Sequence, residues 1–223
     1  MLRSNAFQLA GCALALLLAG CSSNQGPWPQ YLKLLRQGLN NGFSAQYVTL
    51  EQAAKIPYAS LGYRLNSGNE ALLVLATDTN GTQLWTAASR VVLQTRDGRV
   101  VRSVGLPRDI GALASRSSMS LPAPGDARKA PFQSSRRMDF PDIGIYDVQV
   151  TCQSRVRGQQ MIRVLGTAMS TVQVDESCRS ITPRWSFTDS FWLDRETGFV
   201  WQSLQHIHPA GARIELKIFR PPE

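Results

Sequence analysis

The segment RVVLQTRDGRVVRSV, residues 90–104, decides the fold class. Two short runs with alternating apolar and polar positions flank Asp97-Gly98. The favoured two-residue hairpin turn needs positive φ at both central positions. Asp tolerates that conformation and Gly adopts it freely, so Asp-Gly between such runs predicts two antiparallel strands. The same reading extends upstream. Residues 59–66, 71–77 and 82–87 are strand-like, separated by Ser67-Gly68-Asn69 and Asn80-Gly81. A β-meander follows.

The second half alternates in the same way. Val148, Val150, Cys152 and Val156 fall on one face, and Gln149, Thr151, Gln153, Arg155 and Arg157 on the other. Ile162 and Val164 continue after an expected turn at Gly158, and Val172, Val174 and Cys178 lie on a later strand. Runs at 184–193 and 199–208 flank a loop at 194–198, and 213–219 closes the fold. About ten strands predict an all-β domain, an antiparallel barrel-like or sandwich arrangement. Ahead of them Trp28, Tyr31, Leu32, Leu35 and Leu39 recur at helical intervals and predict a short N-terminal helix. Between residues 109 and 142 periodicity disappears among Pro122, Pro124, Pro131 and Pro141. We read that stretch as a long loop within a single β-rich domain, 28–223.

The N-terminus carries a targeting signal. LAGCALALLLAGC, residues 9–21, holds Leu-Ala-Gly-Cys twice. An apolar stretch ending at Cys12 would include Arg3, Ser4, Asn5 and Gln8, whereas the stretch before Cys21 is free of charge and ends in small residues. The pattern resembles the lipobox of bacterial lipoproteins, which implies a lipoprotein signal peptide over residues 1–20 and lipid attachment at Cys21, with 21–27 as a polar tether. The apolar run ends at Cys21, so it is a signal rather than a span. In Gram-negative lipoproteins of this class a Ser after the cysteine, here Ser22, implies sorting to the outer membrane, so the resemblance places the domain on its periplasmic face.

That compartment governs the remaining chemistry. Cys152 and Cys178 are the cysteines left over, and an oxidising environment favours a disulfide; they lack the close spacing of a zinc pair. The formal charge is +8, with 24 basic residues of which only four are lysine. Arginine suits bidentate contact with carboxylate, phosphate or sulfate. A periplasmic location argues against nucleic acid and for acidic polysaccharide or lipid headgroups. Arg155 and Arg157 share a strand face, and Trp192 is out of phase with Phe191 and Leu193, which makes these three the expected ligand- or partner-binding residues. Arg136-Arg137 adds charge within the expected loop. Trp185 and Trp201, in phase with Phe187 and Phe199, read as core.

Catalytic signals are sparse. His206 and His208 are expected as two exposed residues near a hairpin end, and no pattern nominates further metal ligands, so neither metal nor cofactor is expected. Asp139, Asp142, Asp189, Asp194 and Glu196 could in number supply a glycosidase pair, but nothing in their context selects one. No Gly-x-Ser-x-Gly or phosphate-binding glycine loop is present.

Several short motifs, taken in order, add a resemblance. Ile56-Pro57-Tyr58-Ala59-Ser60, Gln83-Leu84-Trp85, Asp97-Gly98-Arg99-Val100-Val101, Phe191-Trp192-Leu193-Asp194, Thr197-Gly198 and Trp201-Gln202-Ser203-Leu204-Gln205 follow the lipobox. From about residue 45 to 219 the chain resembles the YjbF/GfcB family of bacterial lipoproteins. The resemblance implies an antiparallel β-barrel-like domain with a non-catalytic accessory role in exopolysaccharide or capsule assembly and export, alongside an outer-membrane barrel and periplasmic export proteins. It supplies no catalytic residues, and the cysteine pair departs from it. The alternative function is a lipid-anchored periplasmic hydrolase acting on the polysaccharide.

Overall fold

The computed structural model describes residues 50–115, 121–122, 132–211 and 213–222. The expected signal peptide, lipid attachment site Cys21, tether and helix from Trp28 lie outside the described residues. Among the described residues a five-residue helix, α1 (Leu50–Ala54), precedes twelve strands. These are β1 (Ser60–Leu65), β2 (Ala71–Thr79), β3 (Thr82–Thr86), β4 (Val92–Arg96), β5 (Arg99–Val104), β6 (Ala112–Ser115), β7 (Phe132–Phe140), β8 (Ile145–Val164), β9 (Thr167–Ser180), β10 (Trp185–Asp194), β11 (Val200–His206) and β12 (Arg213–Arg220).

All twelve belong to one antiparallel sheet in the order β5-β4-β3-β2-β1-β12-β11-β10-β9-β8-β7-β6. Every sequence neighbour is also a sheet neighbour, apart from the β5/β6 seam, and β1 joins β12. The seam is bridged where the Ser103 amide donates to the Ile110 carbonyl at 3.0 Å, giving a nearly closed barrel-like sheet.

The predicted hairpins form as their turn residues require. Asn80 and Gly81 have φ of 52° and 73°, and Asp97 and Gly98 have φ of 51° and 74°. Inward side chains supply the core: Leu61, Leu73, Trp85, Leu93, Ile110, Met138, Phe140 and Ile214 are each at most 1% exposed. Buried Trp85 keeps its indole N–H satisfied by donating to Thr95 Oγ1 at 2.8 Å.

Three expectations need correction. The segment 109–142 is not one loop, because β6 and β7 lie inside it, followed by a 3-10 turn at Pro141–Ile143. Strand β7 does alternate, but its inward row is Ser134, Arg136, Met138 and Phe140, and the arginine interrupts the apolar pattern. The described residues hold twelve strands where about ten were expected. Gly158 is not a turn either: at φ 143° it sits at a β-bulge inside the twenty-residue β8, where the register shifts between Val156 and Gly158.

That bulge has a structural consequence. Before it, Cys152 and Ser154 point inward; after it, Ile162 and Val164 point outward, because the extra residue inverts the phase. The distal β8/β9 hairpin is thus an arm whose apolar side packs with Ala53 of α1, Leu72, Phe219 and the outward-facing Trp192.

Turns alternate between the two ends of the barrel. At one end His208, in the β11/β12 turn, and Arg108, in the β5/β6 turn, both bond Asp142 of the β7/β8 turn. At the other end, where β1 begins, the turns at Gly81, Gly98 and 194–198 surround a cavity of about 690 Å³.

Candidate functional site

Inward positions along β9 are Val172, Val174, Glu176 and Cys178, and along β10 Leu193, Phe191, Asp189 and Phe187. A carboxylate therefore interrupts each apolar row. The register places Glu176 directly opposite Asp189, with Ser154 on its other side. Like charges so placed repel, and two arginines resolve the conflict. Arg99 donates Nη1 to Glu176 Oε2 at 2.7 Å and Nη2 to Oε1 at 3.0 Å, a bidentate fork. Arg136 donates Nη1 to Glu176 Oε2 at 2.6 Å and Nη2 to Asp189 Oδ2 at 3.2 Å. The Ser154 hydroxyl donates to Glu176 Oε1 at 3.2 Å, and the His206 amide to Asp189 Oδ1 at 2.7 Å.

The cluster is sealed from solvent, Glu176 being 1% exposed and Asp189 2%. Burial pushes the Glu176 carboxyl up, but Arg99 and Arg136 together outweigh it and hold the pKa at about 2. Arg99 also lies 4.6 Å from the centroid of Phe191, whose ring face favours a cation. Next to this cluster a disulfide joins Cys152 and Cys178, direct cross-strand partners on β8 and β9. Both sulfurs and a Glu176 oxygen lie within 4.8 Å of one another. As a metal site this set does not fit, since the sulfurs are bonded to each other and the carboxylate is held by two guanidinium groups.

The other carboxylates named from sequence have structural partners. Asp139 Oδ1 accepts the Asp147 amide at 2.8 Å. Asp194 Oδ1 accepts the amides of Glu196 and Thr197, the second at 2.9 Å, which holds its carboxyl below the usual range. Asp142 Oδ2 accepts from Arg108, which likewise holds that carboxyl low. The histidines are not an exposed pair. His208 is 2% exposed; its Nδ1 accepts the Ala210 amide at 3.0 Å, so Nε2 carries the proton and donates to Asp142 Oδ1 at 3.1 Å. His206 ends β11, half-buried, with Nδ1 3.1 Å from Asp189 Oδ1. Strand alternation stops at His206, which is why His208 turns into the barrel end instead of continuing along a face.

Arg155, Arg157 and Trp192 do meet on one surface, the outer wall of β8–β10. Arg155 is exposed and makes no ion pair among the described residues. Arg157 Nε lies 3.2 Å from Asp175 Oδ2. Trp192 is not freely exposed: the β8/β9 arm covers part of it, and its Nε1 donates to Gln160 Oε1 at 2.8 Å. Arg136 leaves the surface for the interior cluster, while Arg137 stays outside beside Asp147. Trp185 packs against the main core and Trp201 against the outer cluster under the arm, both half-buried.

Comparison with known proteins now adds to this geometry. Residues 37–219 match the family described as group 4 capsule polysaccharide lipoprotein gfcB, YjbF. The chain belongs to the YjbF/GfcB family. A curated relative, the uncharacterized lipoprotein GfcB of Escherichia coli (strain K12), is 22% identical over 209 residues, covering 93% of this chain and 95% of its own. The crystal structure of the hypothetical lipoprotein YmcC from Escherichia coli (K12) aligns with a TM-score of 0.70 at 21% identity, over 90% of this chain and 99% of that one. The barrel-like architecture is thus shared with a solved lipoprotein structure.

Within this YjbF/GfcB member the interior cluster is what sequence reasoning missed. The available signal was Glu176 in phase with Val174 and Cys178, and Asp189 in phase with Phe187 and Phe191. A carboxylate on an apolar strand face needs a buried cation, and Arg136 and Arg99 lie 40 and 77 positions away.

Proposed function

We propose that this lipoprotein is an outer-membrane-anchored, periplasmic, non-catalytic accessory in the assembly or export of capsule or exopolysaccharide, acting through contacts with polymer and export partners. The family supports the association with capsule polysaccharide. One observation carries the non-catalytic part: of the five acids that the sequence nominates, Asp139, Asp142, Asp189 and Asp194 all accept hydrogen bonds from the protein's own backbone or side chains, as turn, seam and core elements, which leaves Glu196 without a second free carboxylate among them. A hydrolase needs two carboxyl groups free to exchange protons beside the scissile bond.

The test has two arms. Deleting the gene should lower surface polymer, and incubating the full-length protein with that polymer should leave its chain length and acetyl content unchanged. A time-dependent change abolished by replacing Asp139, Asp142 or Asp194 would establish the hydrolase alternative instead.

A further inference from the structure

The outer wall of β7–β10 carries a grid of hydrogen-bonding side chains. The register aligns Gln133, Gln153, Ser177 and Thr188 as one row across the four strands, and Ser135, Thr151, Arg179 and Ser186 as the next. A third row places Arg155 beside Asp175 and Ser190. Outward positions 149–155 of β8, 175–179 of β9 and 186–190 of β10 carry no apolar side chain. The first row, with Thr151, Arg179 and Ser186 of the second, lines a depression of about 580 Å³.

Most of these groups have no protein partner. Among the described residues the side chains of Gln133, Thr151, Gln153, Ser186, Arg155 and Arg179 make no hydrogen bond or ion pair. The contrast with Asp175 is informative, because its carboxylate is engaged by Arg157, by Gln173 Nε2 at 2.8 Å and by Ser190 Oγ at 2.8 Å. Asp175 is the one acid of the three rows, and with its carboxylate so engaged Arg155 and Arg179 make no ion pair among the described residues.

We propose that this wall binds an extended acidic polysaccharide, laid across the strands, with Arg155 and Arg179 on its anionic groups and the amide and hydroxyl rows on its hydroxyls. The proposal rests on the reading that the protein works on polymer, and it names the surface and the class. Adjacent strands lie roughly 4.8 Å apart and like-facing residues along a strand roughly 6.8 Å apart, so a chain crossing the sheet meets a polar side chain at each strand. A protein partner fits less well, because the centre of such an interface is apolar or aromatic and depleted in charge.

The test titrates the full-length protein, in detergent micelles, with size-fractionated alginate, a polyuronate, and with dextran as a neutral polymer. Alginate should bind and dextran bind far more weakly. Arg155→Ala with Arg179→Ala should weaken alginate about tenfold or more, since charge-assisted contacts are the strong ones, and Gln153→Ala with Thr151→Ala should weaken it severalfold. Arg102→Ala, exposed on β5, should change nothing. Raising salt from about 0.1 M, where charges are screened over about 10 Å, to about 1 M, where they are screened over about 3 Å, should weaken the parent more than the double-arginine variant. Failure of alginate to bind, equal binding of dextran, or unchanged affinity in both double variants would each overturn the proposal. None of these outcomes touches the chain-length and deletion tests, so the accessory role stands or falls separately.

Discussion

Glu176 and Asp189 occupy directly opposed inward positions on β9 and β10, and Arg136 donates to both carboxylates. The barrel interior therefore depends on Glu176 staying ionised. The Glu176 pKa of about 2 lies below its ordinary 4.5, so the unfolded chain takes up this proton first as pH falls. The stability from Glu176 is complete above pH 4.5 and is lost as pH drops through about 2. We predict a urea midpoint that is flat on this account above pH 4.5 and declines below it. In Glu176→Gln the decline should be shallower. Parallel curves for parent and variant would assign the acid sensitivity to another group.

Arg136 and Arg137 are chain neighbours with opposite roles, which gives a matched comparison. Arg136→Leu leaves Glu176 and Asp189 short of a buried cation and should cost about 3–5 kcal/mol, typical of breaking a buried charge network from one side. Arg137→Leu removes a surface pair with Asp147 and should cost no more than about 1 kcal/mol. Denaturant midpoints measure both. Similar losses would mean that the interior cluster contributes no more than a surface pair.

The sequence is most legible where the determinant is local. Asn80-Gly81 and Asp97-Gly98 specify their turns through their own backbone preferences, and both hairpins follow. The β8/β9 tip is different, because Leu165 adopts φ 47° there, a conformation its side chain disfavours and its letter does not advertise. Strand β7 was hidden because the residue that makes its inward row look polar, Arg136, is answered by Glu176 far along the chain. Gly158 was ambiguous for a related reason: glycine serves a turn or a bulge equally, and only pairing with β9 selects the bulge. Arg155 was readable from alternation, whereas the arm over Trp192 depends on the phase change at that bulge.

The disulfide closes a sequence separation of 26 residues. Chain-entropy reasoning assigns such a loop about 3–4 kcal/mol through restriction of the unfolded state. Cys152→Ala with Cys178→Ala should therefore lower stability by about that amount, and the oxidised parent should show no thiol from this pair when unfolded. Two titratable thiols from Cys152 and Cys178 in unreduced protein would count against the bridge.

Gly81 and Gly98 share a positive φ but not their surroundings. A Cβ at Gly81 meets nothing within 4 Å, while one at Gly98 would lie 2.5 Å from Val200 Cβ. Gly81→Ala should cost only the left-handed backbone penalty, about 1–2 kcal/mol. Gly98→Ala should cost at least about 1 kcal/mol more, because Val200 must shift within a packed wall. Equal thermal shifts for the two variants would show that the β4/β5 turn does not press on β11.

Cys21 and Cys12 offer the same tetrapeptide to the processing machinery, so replacing each in turn isolates what distinguishes them. The stretch from Leu9 to Ala19 is long and uncharged enough to insert ahead of Cys21, whereas the residues before Cys12 include Arg3, Asn5 and Gln8. Stable anchoring needs more than one acyl chain, and an acylated Cys21 of a lipoprotein provides it. Cys21→Ala should accumulate as the unprocessed precursor and disappear from the outer-membrane fraction, while Cys12→Ala should mature and fractionate like the parent. Mass spectrometry of the mature N-terminus reads the difference directly: an acylated cysteine at position 21 in the parent and in Cys12→Ala, and none in Cys21→Ala. Normal maturation of Cys21→Ala would overturn the proposed lipid anchor at this position and, with it, the proposed outer-membrane location of the polar wall.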